Sequence, residues 1–303
     1  IISYGFLKQD PKSGKASDMR AHRCAMLVLS MAVPLAATRI SSSLLSAYEN
    51  ILIPHKLKVF GESAEAAMSI YGNLHGMVLP LIQLPSALLM ALATAMMPTV
   101  AESAAVGNNR RISSAASKVL KFTAIIGIGT ACLFAVFPTE ITKTVYGRTD
   151  LGMLLLKLVP ICPLLYINIV LGGILNGLGK HIFIFRNNMI ASMINILFIY
   201  FLMPLFGIDA YIAGLLVSLA VSSISAVIKT KTLTGIKLNI VDIIIKPLVS
   251  AAAAGLLAKY LLGCIDPSKA AYIVSGIIML ILYIIFLFAC GALDKNDLKY
   301  LKY

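Results

Sequence analysis

The sequence predicts an all-α, polytopic integral membrane protein with about eight transmembrane helices, and three observations predict it. Of the 303 residues 59% are hydrophobic and only 13% are charged, giving a mean hydropathy of +0.90. A soluble domain cannot hide that much apolar surface behind a wettable exterior, so lipid is the expected solvent. The apolar residues also fall in runs near the roughly 20 needed to cross the hydrocarbon core as a helix. Finally, the formal charge of +13 is gathered in short segments between those runs. Basic residues that punctuate apolar runs are a topological signal, and no nucleic-acid partner is expected.

Taken in order, the chain opens with IISYGFL and then the polar stretch KQDPKSGKASDMRAHR. A signal peptide carries its positive charge ahead of its apolar part, and here the order is reversed. Residues 1–23 are therefore expected to be the end of an upstream span followed by a cytoplasmic basic linker. The first full span, residues 24–53, is long, half polar and contains Pro34. The second, 71–98, is interrupted by Pro80 and Pro85, each of which removes a backbone donor. Spans at 115–137, 151–176, 187–206 and 209–229 complete a group of six within 24–230. A loop then leads to an additional pair at 241–263 and 270–290, with 291–303 as a cytoplasmic tail.

Eight spans put both termini on one side, and the basic residues then sort unequally. Eighteen fall on the side of the termini, among them Arg20, Arg23, Arg110, Arg111, Lys229 and Lys231; seven fall on the other, and Arg39 is left within the membrane. The positive-inside rule places both termini in the cytoplasm of a multi-pass cell-membrane protein. The five cysteines show no CxxC spacing, and His22, His55, His75 and His181 are scattered. With no HExxH, GxSxG or intramembrane pair of acids, neither an enzyme nor a metal or other cofactor is expected.

The stretch TRISSSLLSAYENILIPHKL, residues 38–57, interrupts the first span with polar groups. At about 100° per residue, Arg39, Ser42, Ser43, Ser46, Glu49 and Asn50 share one helical face, with Leu44, Leu45 and Ile51 opposite. An ionised arginine facing lipid costs several kcal/mol, so this face is expected to line a bundle interior or a hydrated cavity. Arg39, Ser42, Ser43 and Ser46, with Gln83 of the second span, are the candidate substrate-binding residues. Glu49, Asn50, Asn73 and His75 are candidates for a polar cavity. Pro34, Pro80 and Pro85 are candidate helix breaks or gates, since broken helices surround many transport sites. Gly72 and Gly76 form a GxxxG pair that permits close helix approach.

The run AYENILIPHKL through GESAEAAMSIYGNLHGMVLPLIQLPSALL to MMPTVAESAAVGNNRRI, residues 47–112, together with ILNGLGK at 174–180, resembles the stage V sporulation protein B group of polysaccharide-transporter-like proteins. That group lies in the superfamily that also holds multidrug and toxin extrusion antiporters and the lipid II flippases. The resemblance implies a MATE-like fold in which 24–230 is the six-helix C-terminal transport lobe and 231–290 carries the added helix pair, with an N-terminal lobe lying upstream. It implies movement of a lipid-linked saccharide of polyprenyl diphosphate type, with a peptidoglycan precursor for the spore cortex as the expected cargo, to the outer leaflet by alternating access. The implied partners are that cargo, membrane lipids and the missing N-terminal lobe of the same protein. A cation-coupled multidrug antiporter and a non-transporting scaffold for cell-wall synthesis are the alternatives. One departure stands out: where the lipid II flippases carry a cavity arginine, this chain has Pro80.

Overall fold

The computed structural model describes residues 14–236, 239, 241–263 and 269–293, and among them every regular element is helical. The expected tail at 291–303 lies mostly outside the described residues, as does most of 1–23. The chain divides into two units, Ile1–Leu45 and Ser46–Tyr303. Helix α1, Gly14–Phe60, crosses that division. The first unit contributes the helical residues 14–45, and the packing described below belongs to the second.

In the second unit α1 gives way to α2 (Ala64–Gly72), a π-helical stretch Asn73–Val78, α3 (Leu79–Gln83), α4 (Ser86–Ala105) and α5 (Asn109–Val136). Then come α6 (Pro138–Tyr146), α7 (Leu151–Leu158), α8 (Ile161–Gly177) and α9 (His181–Leu197). A second π stretch, Phe198–Leu202, leads into α10 (Met203–Phe206) and α11 (Ile208–Thr234). A third, Val241–Ile245, leads into α12 (Lys246–Gly263), which is followed by α13 (Lys269–Ala289). Local sequence explains several ends. Ser63 caps α2 and Asn108 caps α5, each side-chain oxygen accepting a backbone N–H three residues on at 3.1 Å. Gly147 and Gly235 stop α6 and α11 in the left-handed conformation, with φ of 70° and 67°.

All three π stretches end just ahead of a proline: Val78 before Pro80, Leu202 before Pro204, Ile245 before Pro247. A proline inside an α-helix clashes with the carbonyl four residues back and leaves it without a donor. Widening the preceding turn relieves the clash, because hydrogen bonds then run to the fifth residue back, as from Leu79 N–H to the Leu74 carbonyl and from Met203 N–H to the Phe198 carbonyl.

Six helices among the described residues are long and apolar enough to cross a membrane: Ser86–Ala105, Asn109–Val136, His181–Phe206, Ile208–Thr234, Val241–Leu262 and Ala270–Ala289. Counting Leu151–Leu158 and Ile161–Gly177, bent by 52°, as one span makes seven. The all-α polytopic architecture is as expected, but the number reached this way is six or seven rather than eight. Helix α1 is not among them. The expected span 71–98 is divided at Leu84–Pro85, and its second part belongs to α4.

Helix α8 is the centre of this unit, packing against α4, α5 and α11. Cys162, Tyr166, Val170, Leu171 and Ile174 on it are fully buried. Lipid is as apolar as leucine, so helices here associate through close packing and interhelical hydrogen bonds rather than a hydrophobic driving force. Gly173 and Gly177 supply that packing: a Cβ on Gly173 would lie 3.0 Å from the Ala93 carbonyl oxygen, and one on Gly177 would lie 2.9 Å from that of Met97. The pair Gly72 and Gly76 has nothing within 4 Å of either position, so the GxxxG spacing that brings helices together in this unit is 173–177. A second core joins α12 and α13 to α5, with Ala251, Ala254 and Ala258 buried beside Ile125 and Ile128. There the Tyr283 hydroxyl donates to the Ile125 carbonyl at 2.9 Å, and Gly129 leaves room for the Tyr283 ring.

Gly173→Ala is expected to overpack the α4–α8 contact and destabilise the protein by about 1–3 kcal/mol. Gly76→Ala is expected to change stability by no more than about 0.5 kcal/mol. Thermal melting of the two detergent-purified variants, side by side, checks both.

Candidate functional site

The interrupted helix between Asn73 and Ala105 exposes backbone carbonyls that water cannot reach in a bilayer, and side chains from other helices satisfy them. Tyr146 on α6 donates its hydroxyl to the Met77 carbonyl at 2.9 Å, and the buried Tyr166 on α8 donates to that of Ile82 at 2.7 Å. Ser86, at the start of α4, donates to the carbonyl of Gln83 at 2.7 Å. Pro80 follows the π stretch as the second residue of α3, and Pro85 occupies the N-cap of α4. Three carbonyls in the break, those of Met77, Ile82 and Gln83, thus accept from side-chain hydroxyls, the kind of satisfaction that non-helical backbone at membrane depth requires.

A polar cluster lies beside this break. Asn195, buried near the end of α9, donates its amide to the Glu49 carboxylate on α1 at 3.1 Å, while its Oδ1 has no hydrogen-bond partner. Gly214 on α11 makes room, since a Cβ there would stand 2.9 Å from that oxygen. The hydroxyl of the buried Tyr211 lies 3.2 Å from His75 Nε2, and the Tyr71 ring stacks on His75 with centroids 4.6 Å apart. Glu49 and His75, two of the expected cavity residues, are therefore held by α9 and α11. No cluster of three or more His, Cys, Asp or Glu that could hold a metal ion occurs among the described residues.

Asn73 is placed differently. Its side-chain oxygen accepts from Arg148 Nη1 at 2.9 Å, and Arg148 also engages Asp150 through Nε at 3.1 Å and Nη2 at 2.5 Å. The arginine so anchors the turn after α6 to the π stretch, and its hydrogen bonds hold the Asp150 carboxyl below the usual carboxylate range. A further seam joins α8, α9 and α11: Asn168 donates to Ser222 Oγ at 2.7 Å, and Asn187 donates to the same oxygen at 2.8 Å while accepting from Ser225.

Of the other expected residues, Arg39 and Ser43 are exposed and Ser42 is half-buried, all in the first unit, where Pro34 also falls within α1. Ser46, Asn50 and Gln83, in the second unit, are exposed. Sequence reasoning missed Asn195, Tyr211, Tyr146 and Tyr166. Asn195 was findable, being an amide inside the apolar run MINILFIYFL, where a polar group requires a partner. The tyrosines carry no such signal, because their rings suit an apolar helix and only their hydroxyls matter.

Replacing Tyr166 by Phe is expected to cost about 1 kcal/mol by stranding the Ile82 carbonyl. Tyr200→Phe, at a half-exposed position, is the matched control expected to melt with the parent protein.

Comparison with known proteins bears on this arrangement. Stage V sporulation protein B of Bacillus subtilis (strain 168) is 25% identical over 183 residues, which are 60% of this chain and 35% of that protein. The chain thus matches about a third of the relative's length. No solved structure gives a significant match. The MatE family model matches residues 34–201, from the polar part of α1 through the second π stretch. That is more than half of the chain, and the protein belongs to the MatE family.

Proposed function

We propose that this chain is part of a flippase that carries a lipid-linked saccharide of polyprenyl diphosphate type to the outer leaflet of the cell membrane by alternating access. Membership of the MatE family and similarity to a sporulation protein support the transporter class, and a peptidoglycan precursor for the spore cortex is the cargo we propose. The observation that carries the proposal is Arg39, an exposed cation within an apolar segment. A diphosphate offers such a group charge-assisted, bidentate hydrogen bonds. Ser42, Ser43, Ser46 and Gln83 are assigned to sugars or to water, and the polyprenyl tail remains in lipid. The proposed partner is an N-terminal lobe of the same protein, and both termini of this segment are assigned to the cytoplasm.

Cation-coupled antiport is the second reading, and one observation favours it: Glu49 and the partnerless Asn195 oxygen stand together with no basic group bonded to either. Two adjacent oxygen acceptors suit a proton or a small cation.

Arg39→Ala in the full-length protein is expected to slow flipping of a lipid-linked saccharide in proteoliposomes by about 10- to 100-fold, the loss of a charge-assisted contact. Flipping at the parent rate with equal expression overturns the assignment. Glu49→Gln separates the readings. Under the second it abolishes dependence on an ion gradient, whereas under the first Arg39 alone governs cargo.

A further inference from the structure

We infer that a cavity of about 380 Å³ between the start of α5 and the end of α11 binds a phosphate group at the membrane surface. This is independent of how cargo crosses. Arg110, Ser113, Ser114 and Ser117 line one side, and Thr234 with Gly235 line the other. Positions 110, 113, 114 and 117 recur at helical spacing, so the guanidinium and three hydroxyls project from one face of α5. No carboxylate lines the cavity.

The hydroxyls are free to serve a ligand. Several helical hydroxyls in this protein donate to a carbonyl of their own helix, as Thr94, Thr123, Thr230 and Ser275 do. Those of Ser113, Ser114 and Ser117 make no hydrogen bond among the described residues, and Arg110 makes no ion pair there. One cation with several hydroxyl donors, and no competing acid, matches the oxygens of a phosphate.

The depth fits a lipid headgroup. From Arg110 to Ser117 the helix rises about 10 Å, enough to traverse a polar headgroup layer of about 5–8 Å on each face of a bilayer. The apolar run of α5 begins at Phe122, and that of α11 ends at Ile228. The same end of the bundle carries Lys229 and Lys231, which raise the local concentration of anionic lipid.

The test is the affinity of the full-length protein for phosphatidylglycerol, read by native mass spectrometry and by thermal shift in detergent, with phosphatidylcholine and inorganic phosphate as comparison probes. Arg110→Gln is expected to weaken phosphatidylglycerol binding about 5-fold, the contribution of one interfacial cation. Ser114→Leu, which fills the cavity without altering charge, is expected to weaken it similarly. The exposed Arg111→Gln, outside the cavity, is expected to bind nearly as the parent does. Protection by phosphatidylglycerol alone identifies a lipid headgroup as the source, and equal protection by inorganic phosphate at millimolar concentration identifies a soluble one; either supports the site. Parent-like binding by both cavity variants, or equal weakening by Arg111→Gln, overturns it.

Discussion

A peptide carbonyl or amide without a hydrogen-bond partner costs several kcal/mol in hydrocarbon, and that penalty organises this protein from its local helix geometry to its tertiary contacts. It accounts for the exclusively helical character of the described residues. It also accounts for what happens where prolines interrupt the helices. At Pro80, Pro204 and Pro247 the preceding turn widens into a π stretch, and around Pro80 and Pro85 hydroxyls from Tyr146, Tyr166 and Ser86 meet the carbonyls of Met77, Ile82 and Gln83. The break is a built element, tied to α6 and α8 by specific donors.

The same penalty explains where the polar side chains went. In water an asparagine or glutamate can be left to solvent, whereas in a bilayer it must meet another helix or open onto a hydrated space. Glu49, His75, Asn168 and Asn187 meet partners on other helices, across sequence separations that range up to 146 residues. Arg39, Ser43, Ser46 and Gln83 remain exposed. This contrast divides groups that hold the helices together from groups available to a ligand, and it underlies the assignment of the latter to cargo.

Close approach of backbones supplies the rest of the cohesion. Glycines at 173 and 177 let α8 touch α4, Gly129 and Gly255 admit side chains at the junction of α5 with the last two helices, and Gly214 leaves room for Asn195 and Phe198. Such contacts replace the hydrophobic effect, which vanishes between helices already solvated by lipid. Gly72 and Gly76 share the spacing of 173 and 177, but a Cβ on either would have nothing within 4 Å, so spacing alone does not create a close contact.

Hydropathy determined the all-α membrane class, the approximate place of most helices and the presence of a break near Pro80 and Pro85. The residues at 47–112 also pointed to the family that the MatE match over 34–201 establishes. These properties are local: a run of apolar residues, a missing amide hydrogen or a glycine-bearing turn can be read within a few dozen positions of one chain. Partner choice was settled only in three dimensions. That Asn73 serves Arg148, that Tyr166 caps Ile82, and that 173–177 rather than 72–76 is the close-packed glycine pair all depend on how helices distant in sequence rotate and cross. Helical periodicity shows which residues share a face, but the neighbour that covers that face is chosen by the packing of the whole bundle.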